Sequence, residues 1–186
     1  MYKGMYDCFA HWFHEGRGTV YFYSDPHFSD PEMVHLRKDY IGDEEQVKRI
    51  NSKIGKYDTL VILGDVGDPT WIKKIRGYKV LIMGNHDVGA TKYKEYFDEV
   101  YEGALTIAEK VILSHEPVEV PGMFNIHGHD HSDWYSHDAH FNACAEHIGY
   151  TPICWKEIHE SGVLKSIKSI HRITIDGATT RKKKRA

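Results

Sequence analysis

Five short clusters run in order along the chain: Asp25-Pro26-His27, Gly64-Asp65, Gly84-Asn85-His86-Asp87, Ser114-His115 and Gly128-His129-Asp130-His131. They supply carboxylates, imidazoles and one carboxamide, the donor types that hold two divalent cations side by side. Alternate residues beyond a strand can both turn inward, so Asp25 and His27 suit one metal. Asp65 carries two carboxylate oxygens and can bridge two ions. His129 and His131, two apart after a glycine, can reach different metals from one loop. Each cluster also has a plainer reading. Asn and Asp favour turns for backbone reasons, Gly-Asp commonly closes a strand, and Gly-His-Asp-His alone would suit a mononuclear zinc loop. Five clusters in order, most of them behind an apolar run, point to a binuclear metallohydrolase.

Such a site needs strands to deliver it. Thr19–Tyr23 is β-branched and aromatic and leads into Asp25; Asp58–Leu63 leads into Gly64-Asp65; Val80–Met83 leads into Gly84-Asn85. Val47, Ile50 and Ile54 recur at helical spacing, which predicts a helix from about Glu44 to Ile54, capped by Asp43, with Gln46 in a capping box and Gly55 as its end. A short helix is expected near Trp71–Arg76, and Tyr93, Tyr96 and Phe97 stripe another as core spacing. The second half reads as short strands at Leu105–Ala108, Val111–Leu113, Met123–Ile126, Ala139–Ala143 and Lys168–Ile175. In open α/β sheets ligands bind where the carboxyl ends of the strands converge. Gly64, Gly84 and Gly128 are small where backbone must turn or approach closely. The expected fold is an α/β four-layer α-β-β-α sandwich of two mixed sheets, with the metal site at the strand C-terminal edge.

Composition agrees with a soluble enzyme. The 186 residues, 41% hydrophobic, suffice for one domain with a real core. We read residues 1–186 as a single domain, with a motif core over about 19–158, an N-terminal extension 1–18 and a basic tail 177–186. A formal charge of −3 gives no global field to recruit nucleic acid or membrane. No apolar run is long enough to span a bilayer, and residues 1–18 lack the apolar core of a signal peptide. Cys8, Cys144 and Cys154 are odd in number and outside the five clusters, which reads as reduced thiols in a cytoplasmic protein. Five of the 14 histidines fall in the clusters; His127, His137, His140 and His147 read as structural or solvated.

The pattern resembles the calcineurin-like metallophosphoesterase superfamily, whose signature is D-x-H, G-D-x-x-D, G-N-H-[D/E], a later H and G-H-x-H. Here these are Asp25-Pro-His27, Gly64-Asp65-Val-Gly-Asp68, Gly84-Asn-His-Asp87, His115 and Gly128-His-Asp-His131. Ser24-Asp-Pro-His-Phe28, the Ile50-Asn51 helix and Thr151–Ile158 are similar to small single-domain bacterial and phage members, although Ser29-Asp-Pro-Glu32 stands where many carry Gly-His-x-Asn. The resemblance implies one metal on Asp25, His27, Asp65 and His131, and a second on Asp65, Asn85, His115 and His129. It implies a phosphoester substrate attacked by a metal-bridging hydroxide, with His86 assisting the leaving group and Asp68 or Asp87 orienting His86. Imidazole, carboxylate and amide donors suit manganese foremost, with iron, zinc or nickel as alternatives.

A non-catalytic scaffold on the same fold is the competing reading. Scaffolds of that kind tend to lose ligands or the leaving-group histidine, and every such position is filled here. Only 29 residues (86–114) and 13 residues (116–128) separate successive clusters, too few for a cap domain. An open cleft favours phosphodiesters and admits phosphomonoesters; nucleotides, nucleic-acid ends and small phosphoesters are the candidate partners.

Overall fold

The apolar runs of the first half become parallel strands. The computed structural model describes residues 4–132, 139–168 and Gly177. In chain order the elements are β1 (Val20–Tyr23), α1 (Met33–Leu36), α2 (Asp43–Lys53), β2 (Thr59–Ile62), β3 (Tyr78–Ile82), α3 (Ala90–Tyr93) and β4 (Glu99–Tyr101). Then come β5 (Leu105–Ala108), β6 (Val111–Leu113), β7 (Phe124–His127), β8 (His140–Asn142), β9 (Ile153–Cys154), α4 (Trp155–Glu160) and α5 (Val163–Ser166). Two 3-10 helices, Asp7–Gly16 and Pro69–Lys74, complete the set among the described residues.

Both sheets are mixed. The first has the order β4-β3-β2-β1-β9, with β9 antiparallel to β1 and the rest parallel. The second has the order β5-β6-β7-β8, antiparallel only between β5 and β6. Val20, Phe22, Val61, Leu63, Val80 and Ile82 from the first sheet meet Ile107, Val111, Leu113, Phe124 and Ile126 from the second in one buried layer. On the other face of the first sheet, Tyr23, Leu60, Ile62 and Leu81 pack with Val47, Ile50 and Ile54 of α2, with Ile72 and with Tyr93. Burial on both faces explains why β1 to β3 read as near-continuous apolar runs. Each fully buried aliphatic in these layers contributes about 1.5–3 kcal/mol. The N-terminal segment packs into this core, with Trp12 fully buried and its carbonyl accepting from Thr59 Oγ1.

Register places the site. Tyr23 is level with Ile62, and Ile62 with Leu81, so three strand ends align. Asp25, Asp65 and Asn85 follow the last residues of β1, β2 and β3 by two, three and three positions. In the second sheet Leu113 is level with Ile126, and His115 and His129 follow by two and three residues.

Local details depart from expectation in instructive ways. Helix α2 begins at Asp43, but its N-cap is Gly42 at φ 80°, and Asp43 accepts instead from the Ser29 backbone and from Tyr40 Oη. No capping box forms: Gln46 is buried, accepts from Tyr23 Oη and donates to the Pro26 carbonyl. Ile54 rather than Gly55 closes the helix. The helix expected at Trp71–Arg76 is the 3-10 turn Pro69–Lys74, because Asp68 caps it and Pro69 starts it. Helix α3 ends at Tyr93, so Tyr96 and Phe97 lie beyond it, yet Tyr93 and Phe97 are core as expected. The strand expected at 168–175, His137 and the basic tail lie outside the described residues.

Candidate metal centre

The candidate ligand positions lie on five strand-end loops, after β1, β2, β3, β6 and β7. Asp25 is fully buried, with one carboxylate oxygen satisfied and the other bare. Oδ2 accepts from the Ser24 hydroxyl, the His129 backbone N–H (2.9 Å) and the Cys144 thiol (3.2 Å). Oδ1 has no hydrogen-bond partner and lies 3.3 Å from His131 Nε2 and 3.8 Å from His27 Nε2. His27 Nε2 is likewise buried and unpartnered, 3.7 Å from Asp65 Oδ2. Buried polar atoms without partners carry a desolvation penalty of about 1–3 kcal/mol each, and a shared cation removes it. Asp25, His27 and Asp65 converge closely enough to ligate one ion.

A second convergence lies beyond Asp65. Its Oδ1 accepts from the His86 backbone N–H, which turns Oδ2 toward the cleft, 3.4 Å from His115 Nε2. Asn85 Oδ1 is 2.8 Å from that same nitrogen and 3.0 Å from His129 Nδ1, and the two imidazole nitrogens are 3.1 Å apart. His115 Nδ1 faces the Leu63 carbonyl at 2.8 Å and donates to it, leaving the Nε2 lone pair for the cleft. Four atoms able to ligate a metal, Asp65 Oδ2, Asn85 Oδ1, His115 Nε2 and His129 Nδ1, thus gather in one place. Asp65, His115 and His129 converge closely enough to ligate an ion.

The titration behaviour reports the same potential. Burial lowers the His115 imidazole, but the Asp65 hydrogen bond and the charges of Asp25 and Asp65 outweigh it and raise it to about 9. His131 rises to about 9 against burial through Asp25 and Glu146. Burial pushes the Asp25 carboxyl up, but the neighbouring His131, His27 and His115 imidazoles hold it well below the usual carboxylate range. Divalent cations would meet this negative potential from both sides.

Close packing and backbone strain build the cradle. A Cβ on Gly128 would sit 1.8 Å from Ser24 Oγ and 2.2 Å from Asp25 Oδ2, and one on Gly84 would sit 2.2 Å from Asp65 Oδ1. Only glycine lets these loops touch. Asp25, His27, Asp65 and His129 all adopt positive φ, between 45° and 68°. Side chains rarely accept that conformation, and such residues cluster at functional sites.

The three residues expected to act on substrate fall in different places. His86 stands at the cleft mouth, its side chain 69% exposed and its Nε2 3.9 Å from Asp65 Oδ2. Neither Asp68 nor Asp87 hydrogen-bonds its ring. Asp87 is buried and accepts from the backbone N–H groups of Asp65, Val66 and Gly84 and from Tyr93 Oη. It staples the Asp65 loop to the Gly84 loop. Asp68 accepts from the Thr70 backbone as a cap. Both Asp87 oxygens are thus engaged beside the adjacent His86, whereas Asp68 accepts this one bond through Oδ1 alone.

Several participants carry no motif. Arg37 is buried and donates from Nη2 to the Asp25 carbonyl, and Glu146 Oε1 is 2.6 Å from His131 Nδ1. Cys144, set apart from the clusters by sequence, sits against Asp25, with its thiol pushed up by burial and by Asp25. The run Ala143-Cys144-Ala145-Glu146, a lone carboxylate behind small buried residues at a strand end, is the one signal that could have drawn attention there. His127 and His140 are buried, and His147 is exposed with Nε2 3.0 Å from the Asp130 carbonyl, in keeping with structural or solvated roles.

Two solved structures are similar to this chain. A protein of unknown function from Aquifex aeolicus is 26% identical over 77% of this chain and 98% of its own, with a TM-score of 0.63. A nuclease from Pseudomonas putida is 22% identical over 61% of this chain and 60% of its own, with a TM-score of 0.42. No curated protein matches the chain. The calcineurin-like phosphoesterase profile matches residues 18–173, a span that holds all five clusters and both convergences described above. With two mixed sheets and a candidate metal centre on that span, the chain belongs to the calcineurin-like phosphoesterase family, whose members use divalent metals to hydrolyse phosphoesters.

Proposed function

We propose that this protein is a binuclear metal-dependent phosphodiesterase, with His86 assisting departure of the leaving group. The observation that supports this best is the placement of Asp65 Oδ2, 3.7 Å from His27 Nε2 on one side and 3.4 Å from His115 Nε2 on the other. One oxygen between two imidazole sets is what a shared ligand requires. Asp25, His27, Asp65 and His131 would hold one ion; Asp65, Asn85, His115 and His129 would hold the other. Two such ions, manganese foremost and iron, zinc or nickel otherwise, would supply Lewis acidity to a bound phosphoester.

The chain's own groups do the rest. Asp25 and Asp65 carry the negative charge, and the buried loops keep their oxygens pointed into the cleft. Exposed at the mouth, the His86 ring is free to meet a departing oxygen and give it a proton from Nε2. The stretches between Asn85 and His129 fold into α3, β4 to β7 and their connections, with no cap over the cleft among the described residues. That openness favours phosphodiesters of nucleotides, of nucleic-acid ends or of small molecules. No helix among the described residues is long and apolar enough to cross a membrane. The three free thiols fit a reducing, cytoplasmic setting.

Metal-reconstituted protein assayed against aryl monoesters, aryl diesters, cyclic nucleotides and short oligonucleotides tests the reading. Diesters should be cleaved faster than monoesters, and a chelator should abolish turnover without unfolding the chain, whose core is built without the metal. Preference for monoesters, or activity that survives chelation, would overturn it.

A further inference from the structure

The two halves of the centre are built with different material behind their imidazoles. In the half formed by Asp25, His27, Asp65 and His131, both rings turn their rear nitrogen to a carboxylate. His131 Nδ1 lies 2.6 Å from Glu146 Oε1, and His27 Nδ1 lies 3.4 Å from Asp30 Oδ2. In the other half, His115 Nδ1 meets only the neutral Leu63 carbonyl, and His129 turns its Nδ1 inward from an exposed position. Glu146 is itself held in an ion pair, its Oε2 without a hydrogen-bond partner. Its Oε2 is 3.5 Å from Arg37 Nε, and Arg37 Nη2 donates to the Asp25 carbonyl at 3.0 Å. One buried guanidinium therefore ties the loop after β8 to the loop after β1, so that His131 and Asp25 are aimed as a pair.

We propose that Glu146, braced by Arg37, and Asp30 are positioning residues that make the Asp25–His27–Asp65–His131 half the tighter of two unequal cation sites. A carboxylate accepting the far N–H of an imidazole fixes its tautomer and ring angle and makes the inward nitrogen a stronger donor. A backbone carbonyl fixes the tautomer with less gain in basicity. The two ions would then load in order, with the Asp25 half filled first. This inference rests on the two-metal reading above and goes beyond it by ranking the sites and naming what ranks them. Glu146 lies 15 residues beyond His131 and belongs to no signature cluster.

Isothermal titration with Mn²⁺ tests it without reference to turnover. The wild-type chain should bind two ions in two steps. Glu146→Gln keeps the acceptor and removes its charge, and should weaken the tighter step by about 10–100-fold while leaving the weaker step in place. Asp30→Asn, at a partly exposed position that does not threaten folding, should weaken the same step. In a His129→Ala background the one remaining ion should still be weakened by Glu146→Gln, which assigns the step to the Asp25 half. The metal-free melting temperature of Asp30→Asn should match its parent; Glu146→Gln also removes the charge facing buried Arg37, so its melting temperature should fall while the weaker binding step stays unchanged. If Glu146→Gln and Asp30→Asn change neither step, weaken both equally, or weaken only the looser one, the ranking is wrong. A wild-type chain that takes up a single ion would instead overturn the two-metal reading, whatever the variants do.

Discussion

The loops of the first sheet and those of the second reach the same cleft but bring different things to it. After β1 and β2 come carboxylates that are almost wholly buried, Asp25 at 0% and Asp65 at 2% exposure, locked by backbone donors and by each other's loops. After β6 and β7 come imidazoles, and those on the last loop are at the surface, with the His131 side chain 37% exposed. In the proposed centre the first sheet would therefore fix charge and position, whereas the second would close the coordination from the open side. A buried carboxylate cannot be replaced by solvent, while a rim imidazole can be partly replaced by water. Loss of function should accordingly be steeper on the first sheet than on the second.

Asp65→Asn is the sharpest test of that contrast. It should cut metal content well below two equivalents and bring activity to background, on the order of 10³-fold or more when charge stabilisation at the reacting centre is lost; elemental analysis and steady-state rates read both. His129→Ala should release only one of the two ions and leave the other bound, by the same analysis. If the two variants lose metal equally, the sheets do not differ in the way described. His86→Asn should retain both ions yet slow a nucleoside or alkyl ester by roughly 10²–10⁴-fold, and slow a nitrophenyl ester less, because that leaving group needs little protonation. Equal slowing of both esters would make His86 a binding group. Asp87→Ala should cost about 3 kcal/mol of folding stability, seen in denaturant melts, because it strands backbone donors that bridge the Asp65 and Gly84 loops. Asp68→Ala removes one capping bond on a short 3-10 turn and should cost about 1 kcal/mol. Should Asp68→Ala instead reproduce the rate profile of His86→Asn at full stability, its proposed part in orienting His86 would be restored.

Much of the first sheet was legible because its physics is local. Apolar runs buried on both faces mark β1 to β3, and each ligand cluster follows its run within a few residues. The supports were less legible. Gln46 was placed in a capping box by spacing, yet tertiary packing turned it inward to hold the Pro26 carbonyl. Asp87 looked like a partner for its neighbour His86, but three unpaired backbone N–H groups nearby claimed its oxygens. Arg37 and Glu146 stand 109 positions apart, and no periodicity or spacing links them; only the return of the chain after β8 makes them neighbours. Strand β4 is three half-buried residues, Glu99-Val-Tyr101, too short and too polar to announce itself. Candidate ligands are visible by type, whereas the residues packed behind them are visible only by contact.

The left-handed backbone at Asp25, His27, Asp65 and His129 sets folding and chemistry at odds within single residues. Each such residue costs roughly 1 kcal/mol or more relative to glycine; at Asp25 and Asp65 the backbone donors their carboxylates hold offset it, but glycine at His27 and His129 would ease the chain while stripping the proposed centre. A laboratory selection for thermostability alone should therefore drift toward glycine there and return well-folded, inert proteins. Any programme to toughen this chain would need to hold those two positions fixed and seek its gains elsewhere.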